Sequence, residues 1–209
     1  MKIGILSESE VDEAAYKILV ESILGHPVDL FKDYQKRGGW SQAKKLIRPI
    51  ILDLHYSGAD GFVFVGDSDS TPPHIASHYQ LDEVPEDCRL CEIRRLARSL
   101  IETLPARSGQ PQLKVAVGMA TPAIEAWLLS GIDAHCTETR FRDDHSNGRL
   151  TRQTRLDLKI KKYGSLHASS DIKMRHTLEN ANRIAEDLDG LQQRFQFGFG
   201  HLRNDLAQW

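Results

Sequence analysis

The sequence predicts an α/β protein: a mostly parallel sheet of four to five strands, helices on both faces, and a helical C-terminal extension. Three observations carry that prediction. Short apolar runs alternate with helix-period segments through the first two-thirds of the chain. Residues 61–66, Gly-Phe-Val-Phe-Val-Gly, are apolar throughout between glycine ends, as a strand covered on both faces should be. The repeated strand–helix order favours parallel crossovers.

In chain order, residues 2–6 form a β-like run. The Ser9-Glu10-Val11-Asp12 segment is a capping box for a helix through Leu24, with Ala15, Ile18, Leu19 and Ile23 as its apolar stripe. Gly25-His26-Pro27 stops that helix, and residues 28–31 are a weaker strand. Ser41 caps a second helix bearing Ala43, Leu46, Ile47, Ile50, Ile51 and Leu54, with a kink or break expected at Pro49. After the 61–66 strand, a helix spans about 88–104, and residues 113–117 form the next buried strand. Thr121-Pro122 pairs a cap residue with a proline at the first helical position, predicting a short helix that ends near Gly131. From Asp171 a further helix carries Met174, Leu178, Ala181, Ile184, Ala185 and Leu188.

A length of 209 residues suits one core: residues 1–135 as the α/β unit, with a basic segment and C-terminal helices, 136–209, packed on it. Net charge is only −2, so any footprint for nucleic acid must be local. No stretch approaches the ~20 apolar residues of a membrane span. Three cysteines do not suggest a disulfide scaffold. A soluble cytoplasmic protein without a membrane partner is the expectation.

Ligands collect at the carboxyl ends of parallel strands, and acids gather there. Glu8, Glu10 and Asp12 follow the first strand, Asp67 and Asp69 follow the 61–66 strand, and Glu125 opens the helix after 113–117. In an extended segment Asp67 and Asp69 point the same way. Close carboxylates repel and raise each other's pKa unless a cation shares them, and Mg²⁺ or Mn²⁺ suits such oxygen donors. Helix capping and the helix dipole account equally for Glu10, Asp12 and Glu125, and Asp67-Ser68-Asp69 also suits a turn or cap.

The pattern strand–Glu, strand–Asp-x-Asp resembles the Toprim domain of topoisomerases, primases and the overcoming-lysogenization-defect nucleases. Glu8 and Asp12 match the spacing of the nuclease branch's Glu-Gly-x-x-Glu, with Ser9 in place of the glycine, which leaves Glu8 and Glu10 both open as the first-motif acid. Ala123-Ile124-Glu125-Ala126-Trp127-Leu128-Leu129 is similar to a stretch in a Toprim-related bacterial family of unassigned function. The resemblance implies a Toprim-like sheet and metal-dependent phosphodiester cleavage, with Glu8, Asp67 and Asp69 binding Mg²⁺ or Mn²⁺. Glu125 or Asp12 would support a second position. It also implies a partner ATPase, as in anti-phage defence loci. Under that reading Arg149, Arg152, Arg155, Lys159, Lys161 and Lys162 track a nucleic-acid backbone; otherwise they are a solvated charged helix or loop.

Two other enzyme or binding readings stay in view. Residues 62–71 also resemble the nucleophile motif of haloacid-dehalogenase-like phosphatases, with Asp67 attacking phosphorus and Asp69 acting as acid. A catalytically silent binding subunit would use the same acids as caps. Cys88-x-x-Cys91 is half of a zinc pattern, but its other half, the adjacent His135-Cys136, is an awkward pair. His74 and His78, four apart, would share a helix face, and surface placement accounts for them.

Overall fold

The computed structural model describes residues 1–31, 39–79, 85 and 87–209. Four strands, β1 (Lys2–Leu6), β2 (Asp29–Leu30), β3 (Gly61–Asp67) and β4 (Lys114–Ala120), form one sheet in the order β2-β1-β3-β4. Every pairing is parallel. The interleaved helices are α1 (Glu10–Leu24), α2 (Trp40–Tyr56), α3 (Arg89–Thr103) and α4 (Ile124–Leu128). Beyond them run α5 (Glu138–Ser146), α6 (Arg152–Tyr163), α7 (Ser170–Ala185), α8 (Leu188–Arg194) and α9 (Gly198–Leu206). The α/β architecture read from the alternation is the one observed.

Strand alternation sorts the apolar residues onto two faces. Ile3, Ile5, Val63, Val65, Ala116 and Ala120 share a core with α1, α7 and α9. Leu6, Phe62, Phe64, Val117 and Met119 share the other with α2 and α3. The first core also takes in Trp127, Phe195 and Phe199, all fully buried. The C-terminal helices therefore complete a sheet face.

Close packing reaches the backbone at Gly198, the first residue of α9. A Cβ there would collide with the Met119 carbonyl oxygen at the end of β4. The same turn is held by Glu138, 3% exposed, whose two oxygens accept from the N–H groups of Phe197 (2.6 Å) and Gly198 (2.8 Å). Burial raises this carboxyl to about 7, with those two bonds pulling the other way.

Several local expectations are corrected. Of the kink or break expected at Pro49, a break does not occur: α2 continues through that residue. Pro49 and Lys45, the residue whose carbonyl loses its i+4 partner, are both solvent-exposed, so water can satisfy that oxygen. The strand β2 has only two residues, and β4 extends three residues beyond 117. Thr121 does not cap α4: the Thr121-Pro122 bond is cis and Ala123 occupies the N-cap. The basic segment is largely helical, on α5 and α6, with Arg149 in the connection between them.

Candidate functional site

The three loops that leave the carboxyl ends of β1, β3 and β4 meet in a cleft of about 520 Å³. Its lining includes Glu8, Asp12, Asp67, Asp69 and Glu125 together with Trp40, Arg155, Lys159, Tyr163 and Lys173. The parallel register places Asp67 beside Ala120 at the strand ends. Glu10 is in the first turn of α1 but is exposed and outside this lining.

Each acid has a definite setting. Glu8 accepts from the Asp67 backbone N–H at 3.1 Å, joining the β1 and β3 loops. Ser9 caps α1 by accepting from the Asp12 N–H, and its hydroxyl donates to the Asp12 carboxylate at 2.7 Å. Capping and cleft-lining are thus both true of Asp12. Asp67 accepts from the Ile124 N–H at 3.0 Å, which fixes α4 against β3. Glu125 is 4% exposed, and its Oε2 is buried without a hydrogen-bond partner.

Asp69 differs from the rest. Its backbone is left-handed, with φ 54°, so the alternation expected of an extended Asp-x-Asp stops after Asp67. Its N–H donates to the Pro122 carbonyl at 2.8 Å. Its carboxylate is gripped by Arg89 (2.8 Å) and by Arg155. Arg89 also donates to the Asp67 carbonyl at 2.6 Å and lies over the Trp40 ring, 4.5 Å from its centroid. Arg89 and Trp40 were not legible as site residues, because neither belongs to a motif; only the fold brings them to Asp69.

Burial and mutual repulsion dominate the electrostatics. Burial holds Asp67 well above the usual carboxylate range, reinforced by Asp12, Glu125, Glu8 and Asp69. Burial also pushes Asp12 up to about 7; the Ser9 hydrogen bond opposes this, and Glu125 and Glu8 add to it. Glu8 and Glu125 shift upward for the same first reason. Lys159, Lys162 and Arg155 pull Glu125 back. Such a set stores repulsion that a cation or protons must relieve.

The six basic residues divide. Arg155 and Lys159 reach the cleft. Arg152 is exposed. Lys162 is 5% exposed and donates to the His176 carbonyl, and burial lowers its pKa to about 8. Arg149 pairs with Asp144, and Lys161 with Asp133. Those last two border a separate, larger groove of about 950 Å³ whose acids include Asp133, Asp143, Asp144 and Asp157. There Asp133 and Asp144 already have cationic partners.

The cysteine pair has other neighbours than expected. His135 and Cys136 line the larger groove, where the Cys136 thiol faces Asp133 at 3.4 Å. Cys88 and Cys91 instead meet His74 and His78. His74 is buried, contrary to the surface placement expected for it. No family model, curated protein or solved structure matches this chain, so the Toprim resemblance rests on its motifs alone.

Proposed function

We propose that this chain is a metal-dependent phosphodiester hydrolase of nuclease type, acting in the cleft at the carboxyl ends of β1, β3 and β4. One observation carries the reading: the buried, unpartnered Oε2 of Glu125 in a cleft shared with Asp12, Asp67 and Glu8. Leaving such an acceptor unmatched is costly, and the cluster offers only hard oxygen donors. Mg²⁺ or Mn²⁺ fits that donor set.

Glu8, Asp12, Asp67 and Glu125 would hold the ion, which when bound polarises a phosphoryl oxygen and activates water. Asp69, clamped by Arg89 and Arg155, orients the cleft wall and keeps Arg155 at the rim. Arg155, Lys159 and Lys173 supply positive charge where a phosphate backbone would enter. Trp40 and Tyr163 give the wall an aromatic surface. Nucleic acid is the substrate class these features suit, and the family resemblance implies an ATPase partner.

The test is Mn²⁺ calorimetry on the wild type and on Asp67→Ala, paired with cleavage assays on single- and double-stranded DNA and RNA, with and without Mn²⁺. The expected result is binding and Mn²⁺-dependent cleavage that Asp67→Ala abolishes. Binding equal in both proteins would remove the site. Hydrolysis of phosphomonoesters with no cleavage of polynucleotide would instead favour Asp67 as a phosphatase nucleophile.

A further inference from the structure

A second donor cluster lies behind the cleft wall and is built from softer atoms. His74 follows Pro73 in the segment after β3, and His78 is in a 3-10 turn, Ala76–Tyr79. Cys88 is the N-cap of α3 and Cys91 lies in its first turn. The His74 Nδ1 is 3.5 Å from the Cys88 sulfur and 3.2 Å from that of Cys91; the His78 Nδ1 is 3.6 Å from the Cys91 sulfur. One ligand atom from each of the four residues falls within 4.8 Å of all the others.

We propose that His74, His78, Cys88 and Cys91 form a closed, four-coordinate structural zinc site. Zn–S bonds of about 2.3 Å and Zn–N bonds of about 2.0–2.1 Å in a tetrahedron imply donor separations of roughly 3.3–3.8 Å. Two of the three separations above, 3.5 and 3.6 Å, fall within that span, and the third, 3.2 Å, lies just below it. Two thiolates and two neutral imidazoles cancel the charge of a divalent ion, which suits the burial of Cys88 (1% exposed), His74 (6%) and Cys91 (8%). The spacing is that of two separated pairs, His-x₃-His and Cys-x₂-Cys, and imidazole with thiolate selects zinc over magnesium. Four protein ligands leave no open position for catalysis.

The site has a consequence for the cleft. Cys88 immediately precedes Arg89, the residue that holds the Asp67 carbonyl and the Asp69 carboxylate. Zinc would therefore tie the segment following Asp69 to the start of α3 and keep the Arg89 clamp in place. His201 of α9 packs edge-on against His74, with ring centroids 5.0 Å apart, so the C-terminal helices back the same cluster. The zinc assignment does not depend on the nuclease reading.

The experiment is elemental analysis of the full chain purified without chelator or added metal, followed by Co²⁺ substitution of the reduced wild-type protein. The expected result is about one zinc per chain, and visible and near-ultraviolet Co²⁺ bands of a tetrahedral site with two thiolates. Cys91→Ser and His78→Ala should lower bound zinc at least about tenfold, while Asp67→Ala keeps it. The wild-type cobalt spectrum decides the matter even where a variant fails to fold. The proposal is overturned if the protein lacks zinc and gives no thiolate–cobalt spectrum, if iron with a visible chromophore replaces zinc, or if mass spectrometry finds Cys88 and Cys91 joined as a disulfide.

Discussion

Asp12 shows how one residue can both cap a helix and line the cleft. Asp12 anchors the first turn of α1 through Ser9, yet its carboxyl titrates near 7 instead of the ordinary 3.8 because it is buried beside other acids. Between those two values the native state keeps a proton that the unfolded chain has released, so stability falls as pH rises across that window. Metal-free protein should accordingly lose thermal stability from about pH 4 to about pH 7, and Asp12→Asn should flatten that slope. Thermal melts across this range measure both. Added Mn²⁺ should raise the melting temperature more at pH 8 than at pH 5, because protons and metal compete for the same oxygens. Glu125→Gln should remove most of that Mn²⁺-induced increase while leaving the far-ultraviolet spectrum unchanged; an increase equal to that of the wild type would exclude Glu125 as a ligand.

At the scale of the element, α6 and α9 carry the clearest expectations. Spacing on α6 puts Arg155, Lys159 and Lys162 along one side, but only the first two reach the cleft rim, and Lys162 turns into the core. Arg155→Gln and Lys159→Gln should each reduce the slope of log affinity against log salt for nucleic acid by about 0.7–0.9. Arg149→Gln and Lys161→Gln should leave the slope unchanged, since their side chains line the other groove and not the cleft. Fluorescence anisotropy at several salt concentrations separates these cases. On α9, Gly198→Ala forces a methyl group against the Met119 carbonyl and should cost about 1–3 kcal/mol in urea unfolding.

Across the whole molecule, one face of the sheet is closed by α1 together with helices from the last third of the chain. Phe199 packs edge-on against Trp127 at 5.4 Å, and Trp127 packs likewise on Tyr16 at 6.0 Å. Phe199→Ala should therefore destabilise the protein by about 3–5 kcal/mol, with a single cooperative transition by circular dichroism and tryptophan fluorescence. Two separate transitions would instead mean that the C-terminal helices melt independently of the sheet. The layout also places two donor sets on either side of Arg89, hard oxygens in the cleft and soft sulfur and nitrogen behind it. Among the described residues, no helix is long and apolar enough to cross a membrane.

Local pattern carried the fold. Short apolar runs marked β1, β3 and β4, and helical periodicity marked α1, α2, α3 and α7, because burial on one or both faces writes its period directly into the chain. The same logic placed Glu8, Asp12, Asp67 and Glu125 at one edge of the sheet, since strand ends in a parallel sheet share an edge. What lay beyond local pattern was pairing at a distance. That Asp69 turns into the grip of Arg89 and Arg155, that Lys162 points inward, and that Cys88 and Cys91 meet His74 and His78 all depend on contacts between separate segments. Spacing restricts such contacts without choosing among them; here the choice was made by the packing of α3, α6 and α9 around the ends of β3 and β4.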